Sequence, residues 1–258
     1  MTASNPLRAA LEDNEIILGG DVRTFAPEII DIFGKIDLDY AWFDFEHSGP
    51  SPWDSAAMDA IVRSTRAAAI EPVIRLPDAN PKLIGKVLDT GVRTLVIPQV
   101  ETGADVDRAV QAARYPGDAG SGTRGIGPGR STLYGCDLDG YVDDQNAGVL
   151  VGAMIENAAA VDHVEEILHV PHLGFLFIGP ADLSISMTGG LAKDDPMVVE
   201  AIETVVDAAS DAGVPVGKSF PSIPGAEAAI DRGYQMLTLG KDVAAVHSAF
   251  RERVTALR

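Results

Sequence analysis

Short apolar runs rich in Val and Ile alternate with Ala-rich amphipathic segments along the whole chain. The strand-like runs fall at 16–19, 40–45, 72–76, 94–98, 149–155, 174–178, 214–217 and 236–239. Helical spacing occupies 52–69, 81–89, 104–113, 158–168, 196–212 and 225–232, and a last helix is predicted from Asp242 toward Leu257. Near-continuous apolar strands separated by helices are what a parallel sheet covered on both faces requires. Eight such units in 258 residues predict an α/β fold, a single-domain (β/α)8 TIM barrel spanning 1–258. The main alternative, a doubly wound sheet, carries a glycine-rich phosphate loop after its first strand. Here the first run ends in a Gly20-Asp21 corner too short for one. One glycine-rich stretch, 115–148, breaks the rhythm and is read as a β/α-type excursion over one mouth of the barrel.

Charge narrows the range of partners. Thirty-eight acidic residues against 20 basic ones leave a formal net charge of −18, which disfavours nucleic acid and anionic membranes as partners. No apolar run approaches the length of a bilayer span, and the first eight residues lack the basic head and apolar stretch of a secretory leader. A cytoplasmic location is the expectation. One cysteine, Cys136, excludes an internal disulfide and a multi-Cys metal site. Asp (25) outnumbers Glu (13) and Lys (6) is scarce beside Arg (14), a texture that predicts a surface adapted to concentrated salt, as in a halophilic protein.

In a parallel barrel, chemistry gathers where strands end, because those loops converge on the axis. Strand two closes on Asp44-Phe45-Glu46-His47, strand three on Arg75, strand four on Gln99 and strand five on Glu156-Asn157. Strand six is followed by Gly179-Pro180-Ala181-Asp182, strand seven by Lys218-Ser219, and strand eight by Gly240-Lys241-Asp242. Arg75 sits in a buried run and needs an anion, from protein or substrate. Glu156 ends the most apolar strand, where a lone carboxylate is costly unless it meets a cation. Asp182 alone could be a helix cap. With Glu156, from the adjacent strand, it makes a two-carboxylate site for a divalent ion such as Mg2+, Mn2+ or Co2+. His47 follows two carboxylates and is the candidate acid/base. His163, His169, His172 and His247 read as surface or packing residues, Trp42 and Trp53 as core or wall, and Cys136 lacks an activating neighbour.

These segments, in this order, resemble the HpcH/HpaI aldolase family of metal-dependent pyruvate aldolases. The resemblance rests on Phe43-Asp44-Phe45-Glu46-His47, Pro72-Val73-Ile74-Arg75-Leu76, Leu88-Asp89-Thr90-Gly91, Arg124-Gly125-Ile126-Gly127, Ile155-Glu156 and the run Phe177 through Gly179-Pro180-Ala181-Asp182-Leu183-Ser184. It implies that Glu156 and Asp182 bind the metal, that Arg75 contacts the keto oxygen, and that His47 is the acid/base. It further implies that Asp44 and Asp89 support the histidine, Asp89 from a neighbouring subunit. A homo-oligomer, trimer or hexamer, with exchanged terminal helices is implied as well. Met154 departs from the family, which often has Gln two positions before the metal-binding Glu. Substrate contacts would vary at 131–135.

The chemistry holds together on physical grounds. A 2-oxo acid chelates a divalent ion through a carboxylate oxygen and its keto oxygen, and the enolate formed on breaking the adjacent carbon–carbon bond is stabilised by that ion and Arg75. His47 would carry the proton of the C4 hydroxyl. Backbone N–H groups at Gly179, Pro180, Ala181 and Ser184, where a helix opens, would hold the substrate carboxylate, proline supplying shape only. The expected substrates are a small 2-oxo acid and an aldehyde. Competing expectations are a Schiff-base aldolase using Lys218 or Lys241, a lyase of acyl-CoA or citrate type, and a silent binding barrel.

Overall fold

The computed structural model describes residues 5–117 and 120–258; residues 1–4, part of the stretch expected to lack a secretory leader, and positions 118–119 of the glycine-rich stretch lie outside the described residues. Eight parallel strands close into a barrel: β1 (Ile17–Asp21), β2 (Tyr40–Asp44), β3 (Glu71–Arg75), β4 (Thr94–Ile97), β5 (Leu150–Ile155), β6 (Leu173–Ile178), β7 (Val216–Ser219) and β8 (Met236–Lys241). Each neighbours its successor and β8 pairs with β1, so the fold is the (β/α)8 barrel. Three strands run further than their apolar stretch: β1 reaches Asp21, β7 reaches Ser219 and β8 reaches Lys241. Their last inward positions are polar, so the hydrophobic pattern stops before the ladder does.

Two apolar layers hold the barrel. Outward residues such as Phe43, Ile74, Leu95, Ile155 and Leu176 form one core with helices α2 (Pro27–Lys35), α3 (Ser55–Ala67), α4 (Pro81–Asp89), α5 (Gly103–Ala113) and α10 (Pro196–Ala212). Inward residues fill the lumen: Ile17, Tyr40, Trp42, Val73, Val96, Leu150, Met154, Phe175, Phe177 and Met236. Leu7 and Leu11 of α1 (Pro6–Glu12) join this layer and plug its lower end, fixed by Asn5, whose amide donates to Thr94 Oγ1 and the Gly148 carbonyl at 3.0 Å each. Lumen packing sets large rings against glycines. A Cβ on Gly19 would lie 2.2 Å from the Tyr40 ring, one on Gly152 2.4 Å from Phe175, and one on Gly217 2.7 Å from Phe177.

The glycine-rich stretch is an α-to-β connection, not the expected excursion over a mouth. It follows α5 and packs on the flank of α3 and α4. Its parts are a two-residue hairpin, a 3-10 turn (Arg130–Gly135) and α6 (Tyr141–Gly148), which leads into β5. Arg124 pins it to Asp89 at 2.8 Å, and Arg130 pairs with Asp59 of α3. The helix expected over 158–168 divides at His163 into α7 (Ala158–Asp162) and α8 (Val164–Leu168). At the upper end, α9 (Pro180–Thr188) opens directly after β6, α11 (Ile223–Asp231) links β7 to β8, and α12 (Asp242–Leu257) leaves β8 with Val243, Val246, Phe250, Val254 and Leu257 exposed.

Lumen packing makes a paired prediction. Gly19→Ala forces a methyl into the Tyr40 ring and should cost about 1–3 kcal/mol. Gly85→Ala, in α4 with nothing within 4 Å of the new Cβ, should add about 0.5–1 kcal/mol. Thermal unfolding of both variants checks the contrast, and equal effects would contradict this packing.

Candidate active site

Strand alternation aims one polar residue from each of several strands at the upper mouth. Inward positions 40, 42 and 44 on β2 end in Asp44, and 150, 152 and 154 on β5 continue to Glu156. Positions 17 and 19 on β1 end in Asp21, and β3 ends in Arg75. Asp21, Arg75 and Glu156 border a cavity of about 950 Å3, with Asp44 buried behind Arg75; its wall includes Asp21, Arg23, His47, Arg75, Met154, Glu156, Gly179, Pro180, Ala181, Asp182, Thr238 and Lys241.

Arg75 is the best-fixed cation of the mouth. Its Nε donates to Asp44 Oδ1 at 2.9 Å and its Nη2 to Asp44 Oδ2 at 2.6 Å, a bidentate pair that fixes the guanidinium plane. Its Nη1 lies 2.9 Å from Glu46 Oε2 and 3.6 Å from the Met154 sulfur. Burial pushes the Asp44 carboxyl up, but the hydrogen bonds and charge of Arg75, with the charge of Arg23, outweigh it and hold Asp44 below its ordinary value. Asp44 thus serves Arg75 and reaches His47 through that residue's backbone N–H at 3.3 Å rather than its imidazole. The imidazole is half-exposed at the rim, its Nε2 3.6 Å from Glu46 Oε2.

Glu156 is almost wholly confined, 1% exposed, as is Asp44 at 0%. Its Oε1 accepts the Gln99 N–H at 2.8 Å, while Oε2 is buried without a hydrogen-bond partner. Gln99 holds that N–H in place with a left-handed φ of 54°, strain of the kind that gathers at functional sites. Burial pushes the Glu156 carboxyl up to about 7, and the charges of Glu46 and Asp182 add to the rise. Glu46 is also pushed up by burial, which the Arg75 charge does not fully offset. Three carboxylates therefore share one field at the mouth. Across from Glu156 Oε2, a Cβ on Gly179 would lie 2.9 Å away, so glycine keeps the backbone clear of that oxygen. Among the described residues, no three His, Cys, Asp or Glu side chains form a ready-made metal cage.

Several expected residues fall elsewhere. Asp89 ends α4, outside the cavity, bound to Arg124. Ser184 is fully buried and donates to the Ala181 carbonyl at 2.7 Å, stapling α9 instead of lining the cavity. Lys218 points outward: Gly217 and Ser219 take the inward positions, and its ammonium lies 4.7 Å from the Phe220 ring and 5.5 Å from that of Tyr234. Lys241 lines the cavity but is exposed. Arg23 and Asp21 were missed because the first apolar run ends before them. Arg23 Nε donates to Asp21 Oδ2 at 2.8 Å and its Nη1 to Asp44 Oδ2 at 2.5 Å, extending the Arg75 network onto β1.

Known proteins resemble this chain in sequence and fold. The sequence profile of the HpcH/HpaI aldolase/citrate lyase family matches residues 22–249. The chain is 32% identical over 263 residues to the hydroxypyruvate/pyruvate aldolase of Paraburkholderia phytofirmans, covering 100% of this chain and 99% of that protein. It is 34% identical over 221 residues to the 4-hydroxy-2-oxovalerate aldolase of Novosphingobium aromaticivorans, covering 83% and 80% respectively. The crystal structure of a HpcH/HpaI aldolase/citrate lyase family protein from Burkholderia cenocepacia superposes with a TM-score of 0.92 at 32% identity, covering 99% of this chain and 100% of that one. The chain belongs to the HpcH/HpaI aldolase/citrate lyase family and is a carbon–carbon lyase.

Proposed function

We propose that the protein is a divalent-cation-dependent aldolase that reversibly cleaves a 4-hydroxy-2-oxo acid into pyruvate and an aldehyde. The observation that carries the reading is the buried, partnerless Oε2 of Glu156, set in one cavity with Asp182 and Arg75. An orphaned anionic oxygen beside a second carboxylate fits a hard cation, and one or two protein carboxylates suffice when substrate oxygens complete the shell. Glu156 and Asp182 would hold the ion, which when bound supplies Lewis-acid stabilisation to the negative charge of the pyruvate enolate.

The remaining work falls to the chain's own groups. The first-turn N–H groups of Ala181 and Asp182 have no carbonyl to pair with inside α9 and lie at the positive end of its dipole, so they suit the substrate carboxylate. Arg75, locked by Asp44, turns its remaining N–H donors to the keto oxygen, where charge grows as the C3–C4 bond breaks. His47 takes the proton of the C4 hydroxyl in cleavage, leaving the aldehyde carbonyl, and a proton delivered to C3 completes pyruvate. Trp42, Met154 and Phe177 floor the cavity and exclude water from below. With Lys218 facing the helices, its amine cannot reach a carbonyl in the cavity.

A second copy would complete the site, a reading supported by the loose 3.6 Å approach of Glu46, the carboxylate that faces the His47 imidazole in one copy. The His47 imidazole has no carboxylate within hydrogen-bond distance among the described residues, while Asp89 is presented on the outer flank of the same barrel. A neighbouring subunit's Asp89 would orient His47, and the exposed apolar row of α12 would hold that neighbour.

These readings have separate tests. With Mg2+ or Mn2+ the protein should release pyruvate from 4-hydroxy-2-oxo acids and exchange pyruvate methyl protons with D2O. Chelation, Glu156→Gln or Asp182→Asn should each lower both rates about 100-fold or more, and full turnover in chelator overturns the reading. Mixing inactive His47→Asn and Asp89→Asn subunits should restore turnover, whereas no recovery contradicts a site shared between subunits. Without a cation, the folded chain binds a proton on Glu156 up to about pH 7, whereas the unfolded chain releases it near 4.5. Cation-free stability therefore falls as pH rises between those values. In chelator at pH 8, Glu156→Gln should exceed the wild type by about 1–3 kcal/mol, the gap closing toward pH 4.5. A wild type at least as stable as the variant at pH 8 contradicts the buried charge.

A further inference from the structure

A second carboxylate of the cavity has an oxygen with nothing to do. Asp21 ends β1, its side chain only 7% exposed, and Arg23 Nε takes Oδ2 while Oδ1 is buried without a partner. Gly19 and Gly20 precede it on the cavity wall, so no neighbouring side chain from β1 covers it. Its position is defined by topology. In the closed strand order, β1 lies four strands from β5 whichever way the barrel is followed, so Asp21 stands diametrically across the mouth from Glu156.

The charges around Asp21 decide what can bind there. Arg23 touches it, Lys241 is its register partner on β8 and lowers its proton affinity, and Asp44 is near enough to raise it. Burial is the largest influence and lifts the carboxyl to about 6, which leaves it an anion at neutral pH. A cation or ammonium ligand would meet two positive neighbours, and an anionic ligand would meet the carboxylate. A neutral hydroxyl satisfies the orphan oxygen with a charge-assisted hydrogen bond and brings no net charge.

Resting on the aldolase reading above, we propose that Asp21 selects the aldehyde fragment, and that the acceptor is a hydroxyaldehyde whose hydroxyl donates to Asp21 Oδ1. With pyruvate held at Arg75, Glu156 and Asp182, the chain added at its C3 crosses the mouth toward β1 and β8, where Asp21 waits. A site built to pair a hydroxyl discriminates against the analogue lacking it, because the buried acceptor is then left unpaired.

The test is the ratio of kcat/KM for pyruvate condensation with glycolaldehyde to that with acetaldehyde, read as the discrimination factor. The wild type should favour glycolaldehyde about tenfold or more. Asp21→Ala should bring the factor close to one, and Asp21→Asn, which keeps the shape and loses the charge, should reduce it. Arg23→Gln disturbs the same ion-pair network but keeps Oδ1, so it should slow both acceptors and preserve the factor. A purely structural Asp21 would likewise slow both acceptors together. No preference in the wild type, or the wild-type factor retained in both Asp21 variants, overturns the proposal. Exchange of pyruvate methyl protons with D2O separates the two readings. Its absence sinks the aldolase reading, whereas exchange without hydroxyl preference sinks this one alone.

Discussion

Burying a carboxylate at the end of an apolar strand shapes the whole upper face of this barrel. Glu156 follows six buried residues of β5, with one oxygen tied to a strained backbone N–H and the other tied to nothing. Water cannot reach that oxygen, and the nearby carboxylates Glu46 and Asp182 raise the cost of its charge. Left alone, such a group neutralises by binding a proton; given a divalent ion, it releases the proton and gains a strong partner. On the proposed reading the site is poised between two ligands, and the fold accepts a local loss of stability in exchange for chemistry.

The opposite wall is organised by ion pairs. Asp44 joins Arg75 on β3 to Arg23 on the loop after β1, and Arg23 reaches Asp21. That loop is in turn fixed by Asp242, the first residue of α12, whose carboxylate accepts from the backbone N–H groups of Arg23 and Thr24 and from the Thr24 hydroxyl. A continuous hydrogen-bonded path thus runs from Arg75 to the root of the projecting last helix. Replacing Asp44 would leave the buried Arg75 guanidinium under-paired, which costs more than the pair itself contributes.

The barrel was legible in the sequence because buried parallel strands write uninterrupted apolar runs and their helices write a 3.6-residue period. The polar ends of those strands were also legible wherever a long apolar run preceded them, as at Asp44, Arg75 and Glu156. What escaped was the polar tip of a weak strand. Gly19 and Gly20 give β1 no apolar weight near its end, so Asp21 reads as part of a corner and Arg23 draws no reading. The roles of Asp44 and Gln99 escaped for a different reason. Asp44 grips Arg75 by a register between strands that no linear spacing encodes, and Gln99 serves Glu156 with its backbone, which carries no side-chain signature. Asp89 lies outside the cavity that His47 lines, as expected of a residue implied to act from a neighbouring subunit.

The central claim is that Glu156 and Asp182 share a divalent ion. Crystals soaked in Mn2+ and measured at the manganese absorption edge test it most directly. The account predicts an anomalous peak within about 2.0–2.3 Å of a carboxylate oxygen from each residue, with Glu156 Oε2 among the ligands. A mouth that stays empty at saturating Mn2+, or an ion bound elsewhere while Oε2 remains bare, would contradict it.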